Sequence, residues 1–302
     1  MIDLSTELAG LRLKNPVLLA SGTWGYGQEL SQYLDLSLFG ALVTKGISLE
    51  PRPGNPPPRL VETPCGLINA IGLENPGLKA FATKIIPYLR RFKVPLIANI
   101  FGESPEEYVT LTAELSSLVD AIEVNVSCPN VKRGGLLFGS EPAELARLVE
   151  KVCQAASVPV IVKLPPKTMG IGELAQVCEA AGAAALSLIN TVPAMAIDLR
   201  RRGSRLGVIS GGLSGPAIKP IALKLVYEVV RTVKIPVIGI GGITCATDVA
   251  EFLILGARAV QIGTANLISP RAGSRILQDL PPLLSELGVS SVSQLIGSFR
   301  SE

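Results

Sequence analysis

Ala121-Ile122-Glu123-Val124-Asn125-Val126-Ser127-Cys128-Pro129-Asn130 begins as an apolar run and ends in amides, a hydroxyl and a thiol. The run reads as a strand covered on both faces, and Pro129, with no N–H to offer a ladder, stops it at once. Working outward, seven further runs of the same kind are bounded by turn residues: Pro16–Ser21, Ala41–Gly46, Pro95–Phe101, Pro159–Leu164, Ala185–Thr191, Pro236–Ile240 and Ala259–Gly263, beside Ala121–Cys128 itself. Between them lie helical patterns. Ser104-Pro105-Glu106-Glu107 supplies an N-cap, a first-turn proline and acidic residues for a helix running to about Leu118. Pro142–Ala156, Gly172–Ala181, Pro216–Val233 and Thr247–Leu255 repeat the theme, and Gly182 and Gly256 supply stops before the next strand.

A succession of βα units without a composition break predicts one domain over residues 1–302, an α/β (β/α)8 TIM barrel. A doubly wound open sheet is the alternative, but it seldom needs so many regularly spaced units. Three strand-to-helix connections are long, at residues 47–75, 128–140 and 192–215. In a barrel these inserted loops emerge at the C-terminal rim, where sites are built. The first is rich in proline and glycine and is expected to be stiff and ordered rather than helical.

Bulk properties narrow the function. A hydrophobic share of 48% against 18% charged residues supports a large core, and the net charge of +3 is scattered. Arg200-Arg201-Arg202 is the one notable basic run, and no basic stripe with interleaved aromatics suggests a nucleic-acid groove. No apolar run approaches the ~20 residues that span a bilayer, and the first residues lack the pattern of a signal peptide. The five cysteines are widely spaced without a CxxC pair, which argues against disulfides, zinc or an iron–sulfur cluster. The expectation is a reduced, soluble, cytoplasmic protein without a metal.

The chain contains no histidine, so proton transfer near neutral pH falls to a cysteine, carboxylate, lysine or tyrosine. Cys128 stands where a strand opens into a loop between Asn125, Ser127 and Asn130, a plausible seat for a reactive thiol. Cys153 and Cys178 fall on apolar helix faces and read as small hydrophobes; Cys245 reads as a helix cap. Ser21, Lys45, Gly46, Asn99, Asn125, Lys163, Asn190, Thr191, Gly241, Gly242, Gly263 and Thr264 all fall at or near the ends of strands. Any one of them could cap a loop, but together on one rim they describe a polar ligand site. Gly239-Ile240-Gly241-Gly242 and Gly263-Thr264, after the seventh and eighth strands, suit a phosphate, because glycine lets backbone N–H groups approach an anion. Lys45 and Lys163 each end an apolar run and are expected side by side in the barrel mouth, two cations for anionic ligands.

Beyond these single residues, longer strings carry a resemblance. Thr44-Lys45-Gly46, Glu50-Pro51-Arg52-Pro53-Gly54-Asn55-Pro56-Pro57-Pro58-Arg59, Asn69-Ala70-Ile71-Gly72-Leu73, Asn125–Asn130, Lys163-Leu164-Pro165, Ile189-Asn190-Thr191 and Gly211–Pro220 occur in order along the chain. On these the sequence resembles the class 1 dihydroorotate dehydrogenases, most nearly the class 1B catalytic subunit. The resemblance implies an FMN enzyme of pyrimidine biosynthesis in which Cys128 takes the C5 proton of dihydroorotate and the C6 hydride passes to the flavin. It implies FMN contacts from Ser21, Lys45, Gly46, Asn99, Asn125, Lys163, Ile189, Gly215, Gly241, Gly242, Gly263 and Thr264. It implies substrate contacts from Lys45, Asn69, Ala70, Ile71, Gly72, Leu73, Asn125, Asn130, Asn190 and Thr191. A homodimer is implied as well, within a heterotetramer whose second subunit carries FAD and an iron–sulfur cluster and passes electrons to NAD. Class 2 members use a serine base and a membrane-associating extension, which Cys128 and an early first strand do not match. The rival readings are a dihydropyrimidine dehydrogenase-like flavoenzyme, a non-redox phosphate-binding barrel enzyme and an inactive binding protein.

Overall fold

In the computed structural model, which describes residues 2–126 and 141–300, eight parallel strands close into a barrel. They are β1 (Val17–Leu19), β2 (Ala41–Val43), β3 (Leu96–Ile100), β4 (Ala121–Asn125), β5 (Val160–Lys163), β6 (Ala185–Leu188), β7 (Val237–Ile240) and β8 (Ala259–Ile262). Each pairs with its neighbours in sequence, and β8 returns to β1 through Val260↔Val17 and Ile262↔Leu19. Every residue of these strands is buried, which is why they read as continuous apolar runs instead of alternating ones. The expected strand segments overshoot the ladders by one to three residues, mostly at the C-terminal ends.

Helices Pro105–Leu115, Pro142–Ala155, Ile171–Ala180, Lys219–Val230 and Ala246–Leu255 follow β3 to β7. Their signals are local. Ser104 caps the first by accepting a hydrogen bond from the Glu107 amide at 3.4 Å, and Gly256 leaves the last with φ +112°, a conformation that favours glycine. Among the described residues no helix is long and apolar enough to cross a membrane.

Because side chains alternate inward and outward along a strand, the barrel interior is stacked in layers. At the bottom Ala41, Ala121, Ala185 and Ala259 form one layer, and Leu18, Ile97, Ile161 and Ile238 the next. The N-terminal hairpin, Thr6–Leu8 with Leu11–Leu13, closes this end: Leu8 and Leu13 are fully buried in the same apolar cluster. Two residues further along each strand the chemistry changes. Glu123, Ser187 and Gln261 join Val43, and above them stand Ala20, Asn99, Lys163 and Ile240.

The two described rim insertions meet each other, which their sequences did not reveal. Leu60–Thr63 and Gly66–Asn69 form a hairpin; Gly211–Ser214 pairs with its inner strand and with Val192–Ala194. The resulting four-stranded antiparallel sheet lies beside the barrel mouth. The proline-rich stretch is not helical, as expected, and is tied down by hydrogen bonds: the Arg59 guanidinium donates to the carbonyls of Asn55 and Pro53, and the Gly207 amide donates to the Pro58 carbonyl at 2.7 Å.

Candidate active site

A cleft of about 1490 Å³, part of it open to solvent, lies between the C-terminal ends of the barrel strands and this sheet. Ala20, Asn99, Lys163 and Ile240 form its deepest layer. Lys45, Asn125, Ile189 and Gly263, one step further along their strands, belong to the next. Ser21 and Thr23 enter after β1, Gly241, Gly242 and Thr244 after β7, and Thr264 after β8. The sheet contributes Leu60, Leu67, Asn69, Gly212 and Ser214, so both apolar and polar side chains face the cleft from that side as well.

The floor is a buried polar knot. Glu123 is fully buried, with Oε1 accepting from Asn99 Nδ2 at 2.7 Å. Its Oε2 accepts from Ser187 Oγ at 2.8 Å and from Gln261 Nε2 at 2.7 Å. Lys163 Nζ lies 3.8 Å from Glu123 Oε1. Asn99 Oδ1 is buried and has no hydrogen-bond partner among the described residues. A Cβ on Gly46 would sit 3.0 Å from that oxygen, so glycine is what keeps this acceptor uncovered.

The second lysine is held differently. Lys45 Nζ lies 3.4 Å from Glu74 Oε2, which also takes an ion pair from Arg59 at 3.1 Å. The ammonium stands 6.0 Å from the centroid of the Tyr26 ring. Burial, helped by the Glu74 charge, holds the Tyr26 phenol well above its ordinary range, so this tyrosine stays neutral. The expected pair of cations at one mouth is therefore present with a carboxylate beside each, and neither carboxylate was foreseen.

The glycine turn after β7 is braced from behind. Gly242 has φ +71°, and a Cβ there would fall 2.6 Å from Lys219 Cβ. Lys219 Nζ donates to Asp248 Oδ1 at 2.6 Å and makes an ion pair with Glu251 at 2.8 Å. Burial alone would lower the lysine's pKa, but the two carboxylates overcome it and raise the value above the ordinary range. Burial would likewise raise Asp248, yet the Lys219 ammonium and the Thr244 bonds hold its carboxyl below the usual range. Asp248 Oδ2 accepts from the Thr244 amide at 2.7 Å, its hydroxyl at 2.8 Å and the Cys245 amide at 3.1 Å. Cys245 is thus the helix cap its position suggested.

Of the sequence-predicted residues, the cleft wall contains Ser21, Lys45, Gly46, Asn69, Ile71, Gly72, Leu73, Asn99, Asn125, Lys163, Ile189, Asn190, Thr191, Gly215, Gly241, Gly242, Gly263 and Thr264. Ala70 stands elsewhere: its side chain is buried with Val61, Ile68 and Leu206 on the far side of the sheet hairpin. Cys128 and Asn130 lie outside the described residues. Buried Tyr108 donates its hydroxyl to the Asn125 carbonyl at 3.0 Å, anchoring the end of β4. Glu123, Ser187 and Gln261 were missed, although a period-2 reading of inward positions from Ala121, Ala185 and Ala259 would have found them.

Comparison with known proteins agrees with the barrel. Residues 3–284 match the family model described as Dihydroorotate dehydrogenase. Two proteins named dihydroorotate dehydrogenase B (NAD(+)), catalytic subunit, are similar over nearly their whole length. That of Trichlorobacter lovleyi is 54% identical over 98% of each chain, and that of Pelobacter propionicus 53% identical over 99% of each. A crystal structure of DHODH from Eimeria tenella in complex with ferulenol superposes with a TM-score of 0.83 at 22% identity, covering 98% of this chain and 88% of that one, and speaks to the fold alone.

Proposed function

The chain belongs to the dihydroorotate dehydrogenase family, and from that premise we propose that it is the catalytic subunit of an NAD-linked, class 1B enzyme. It oxidises dihydroorotate to orotate in pyrimidine biosynthesis. What supports this most is that residues spread from Ser21 to Thr264 along the sequence line one cleft that includes the glycine turn after β7.

The residues present fit FMN. Asn99 Oδ1 is an acceptor awaiting a donor, Gly46 leaves it uncovered, and the Gly241-Gly242 and Gly263-Thr264 turns offer backbone N–H groups for a phosphate. Bound FMN supplies the acceptor for the hydride that leaves C6 of the substrate. Lys163 brings a positive charge to the cofactor end of the cleft. Lys45, Asn69, Asn125, Asn190 and Thr191, with Ile71, Gly72 and Leu73, hold the pyrimidine and its carboxylate; the ion pair between Lys45 and Glu74 loosens as the substrate carboxylate takes its place. Cys128 removes the C5 proton. A thiol, with an ordinary pKa of about 8.5, is a fair base for that proton near neutral pH, and Asn130 is assigned to the substrate in the same proposal. The two lysines and the set of amides favour a carboxylated pyrimidine over an uncharged one.

As a catalytic subunit, the chain works with a separate partner subunit in passing electrons to NAD. The fuller assembly, a homodimer within a heterotetramer whose second subunit carries FAD and an iron–sulfur cluster, and its cytoplasmic location belong to the same proposal. So does the assignment of residues 1–302 to one FMN-binding domain. The test is turnover of dihydroorotate by the purified, FMN-loaded protein with NAD, fumarate or a soluble quinone, with and without the second subunit. NAD reduction that requires the second subunit is expected. A colourless protein that takes up no FMN, or bound FMN that dihydroorotate does not bleach, overturns the reading.

A further inference from the structure

Glu123 is a charge placed where an apolar side chain would close the barrel. The two layers beneath it are entirely apolar, and Val43 shows that its own layer accommodates a hydrophobe. Three side chains donate to it, Asn99 Nδ2, Ser187 Oγ and Gln261 Nε2, and the Lys163 ammonium stands close by. It accepts three hydrogen bonds and faces an ammonium, an environment that suits a carboxylate. A buried charge persists where it is paired and hydrogen-bonded, and this one is both.

Two of those partners are also cleft residues. By engaging Asn99 Nδ2, Glu123 leaves Asn99 Oδ1 as the only unsatisfied end of that amide. Standing 3.8 Å from Lys163 Nζ, it is near enough to oppose the ammonium charge but too far to take a hydrogen bond from it. Ser187 and Gln261, which do not line the cleft, fix the carboxylate from the other side of the barrel.

We propose that Glu123 is a positioning residue for the cofactor and sets its reduction potential, orienting Asn99 and offsetting the charge of Lys163 from beneath the site. This rests on the reading of the cleft as an FMN site. A cation beside the cofactor favours the reduced form, which carries more negative charge, and a carboxylate behind that cation weakens the preference. Removing the carboxylate strengthens it.

The experiment measures the midpoint potential of bound FMN by equilibration with a reference dye, without substrate, together with FMN affinity by fluorescence. Glu123→Gln is expected to raise the ratio of reduced to oxidised FMN affinity about tenfold, a shift of ~30 mV for a two-electron couple. Glu123→Asp keeps the charge and stays close to the parent potential, while its shorter reach weakens FMN binding. Lys163→Met shifts the potential the opposite way, and the Glu123→Gln/Lys163→Met double variant, which removes both charges, falls between the two. A purely structural knot predicts weakened FMN binding in both Glu123 variants with no change in potential. That result, or equal shifts in Glu123→Gln and Glu123→Asp, overturns the proposal. Should Glu123→Gln fail to fold, the double variant and Glu123→Asp decide the matter alone. A parent protein that binds no FMN refutes the flavin reading instead, so the two failures are distinguishable.

Discussion

Gly242→Ala isolates what the turn after β7 requires. Two costs add there. Alanine at φ +71° enters the left-handed region, at about 1–2 kcal/mol. Its Cβ would also lie 2.6 Å from Lys219 Cβ, 2.9 Å from the Lys219 nitrogen and 3.0 Å from the Gly215 carbonyl oxygen. Two of these contacts are backbone, so the turn itself must move, at about 1–3 kcal/mol for overpacking. The sum is a loss of about 2–5 kcal/mol. Gly288 provides the control: φ is +72° and a Cβ there meets nothing within 4 Å, so Gly288→Ala carries only the conformational cost of about 1–2 kcal/mol. Urea unfolding of both variants without cofactor, followed by circular dichroism, gives the two losses, and their difference is the packing contribution. FMN affinity should fall for Gly242→Ala and hold for Gly288→Ala. Equal destabilisation of the two, or unaltered FMN binding by Gly242→Ala, would refute the claim that this turn is shaped by close approach to Lys219.

Other perturbations test separate parts of the molecule. Cys128→Ser should slow flavin reduction by dihydroorotate about 10²–10⁴-fold near neutral pH, the range for a lost general base, while leaving FMN bound; unchanged rapid-reaction kinetics would remove Cys128 from that role. Asp248 has a depressed folded pKa, so its contribution to stability is present above the ordinary aspartate range near ~3.9 and is lost as pH falls through the lower folded value. Asp248→Asn should therefore flatten the acid limb of stability against pH, and a limb as steep as the parent's counts against the pairing. Leu13→Ala, in the hairpin that closes the barrel bottom, should cost about 2–5 kcal/mol by cavity formation without altering FMN affinity; weaker cofactor binding in this variant would tie the plug to the site.

The barrel was legible because its strands are covered on both faces, so each announces itself as a short apolar run. Ends were blurred where backbone bonds to the neighbouring strands run past the regular ladder, as at Ile189 and Asn190, whose amides donate to the Ile240 and Leu164 carbonyls, and sharp where a cap is local, as at Ser104. The rim was harder to read. Leu60–Thr63 and Gly66–Asn69 follow a proline-rich stretch, and their sheet partner is far along the chain, so nothing local marks them as strands of a shared sheet. Lys45 and Lys163 were identified as cations at strand ends, but their carboxylates were not: Glu74 is in a loop 29 residues from Lys45, and Glu123 was hidden inside a run judged by its overall hydrophobicity. Sequence strings could nominate cleft residues such as Gly46 and Thr264, whereas the reason Gly46 must stay small became visible only with Asn99 Oδ1 beside it.

The sheet at the mouth also has a consequence for how the chain is made. Asn69 donates a side-chain hydrogen bond to the Gly212 carbonyl across 143 positions of sequence. A chain emerging from the ribosome completes the Leu60–Asn69 hairpin long before Gly211–Ser214 exists, and at ~5–20 residues per second it waits about 7–29 s for its partner. Until then the Gly66–Asn69 edge is unpaired and open to the wrong strand. Arg59, bonded back to Asn55 and Pro53, together with the prolines that precede it, gives that interval a local restraint: the hairpin is stiffened from its own side before the second insertion arrives to cover it.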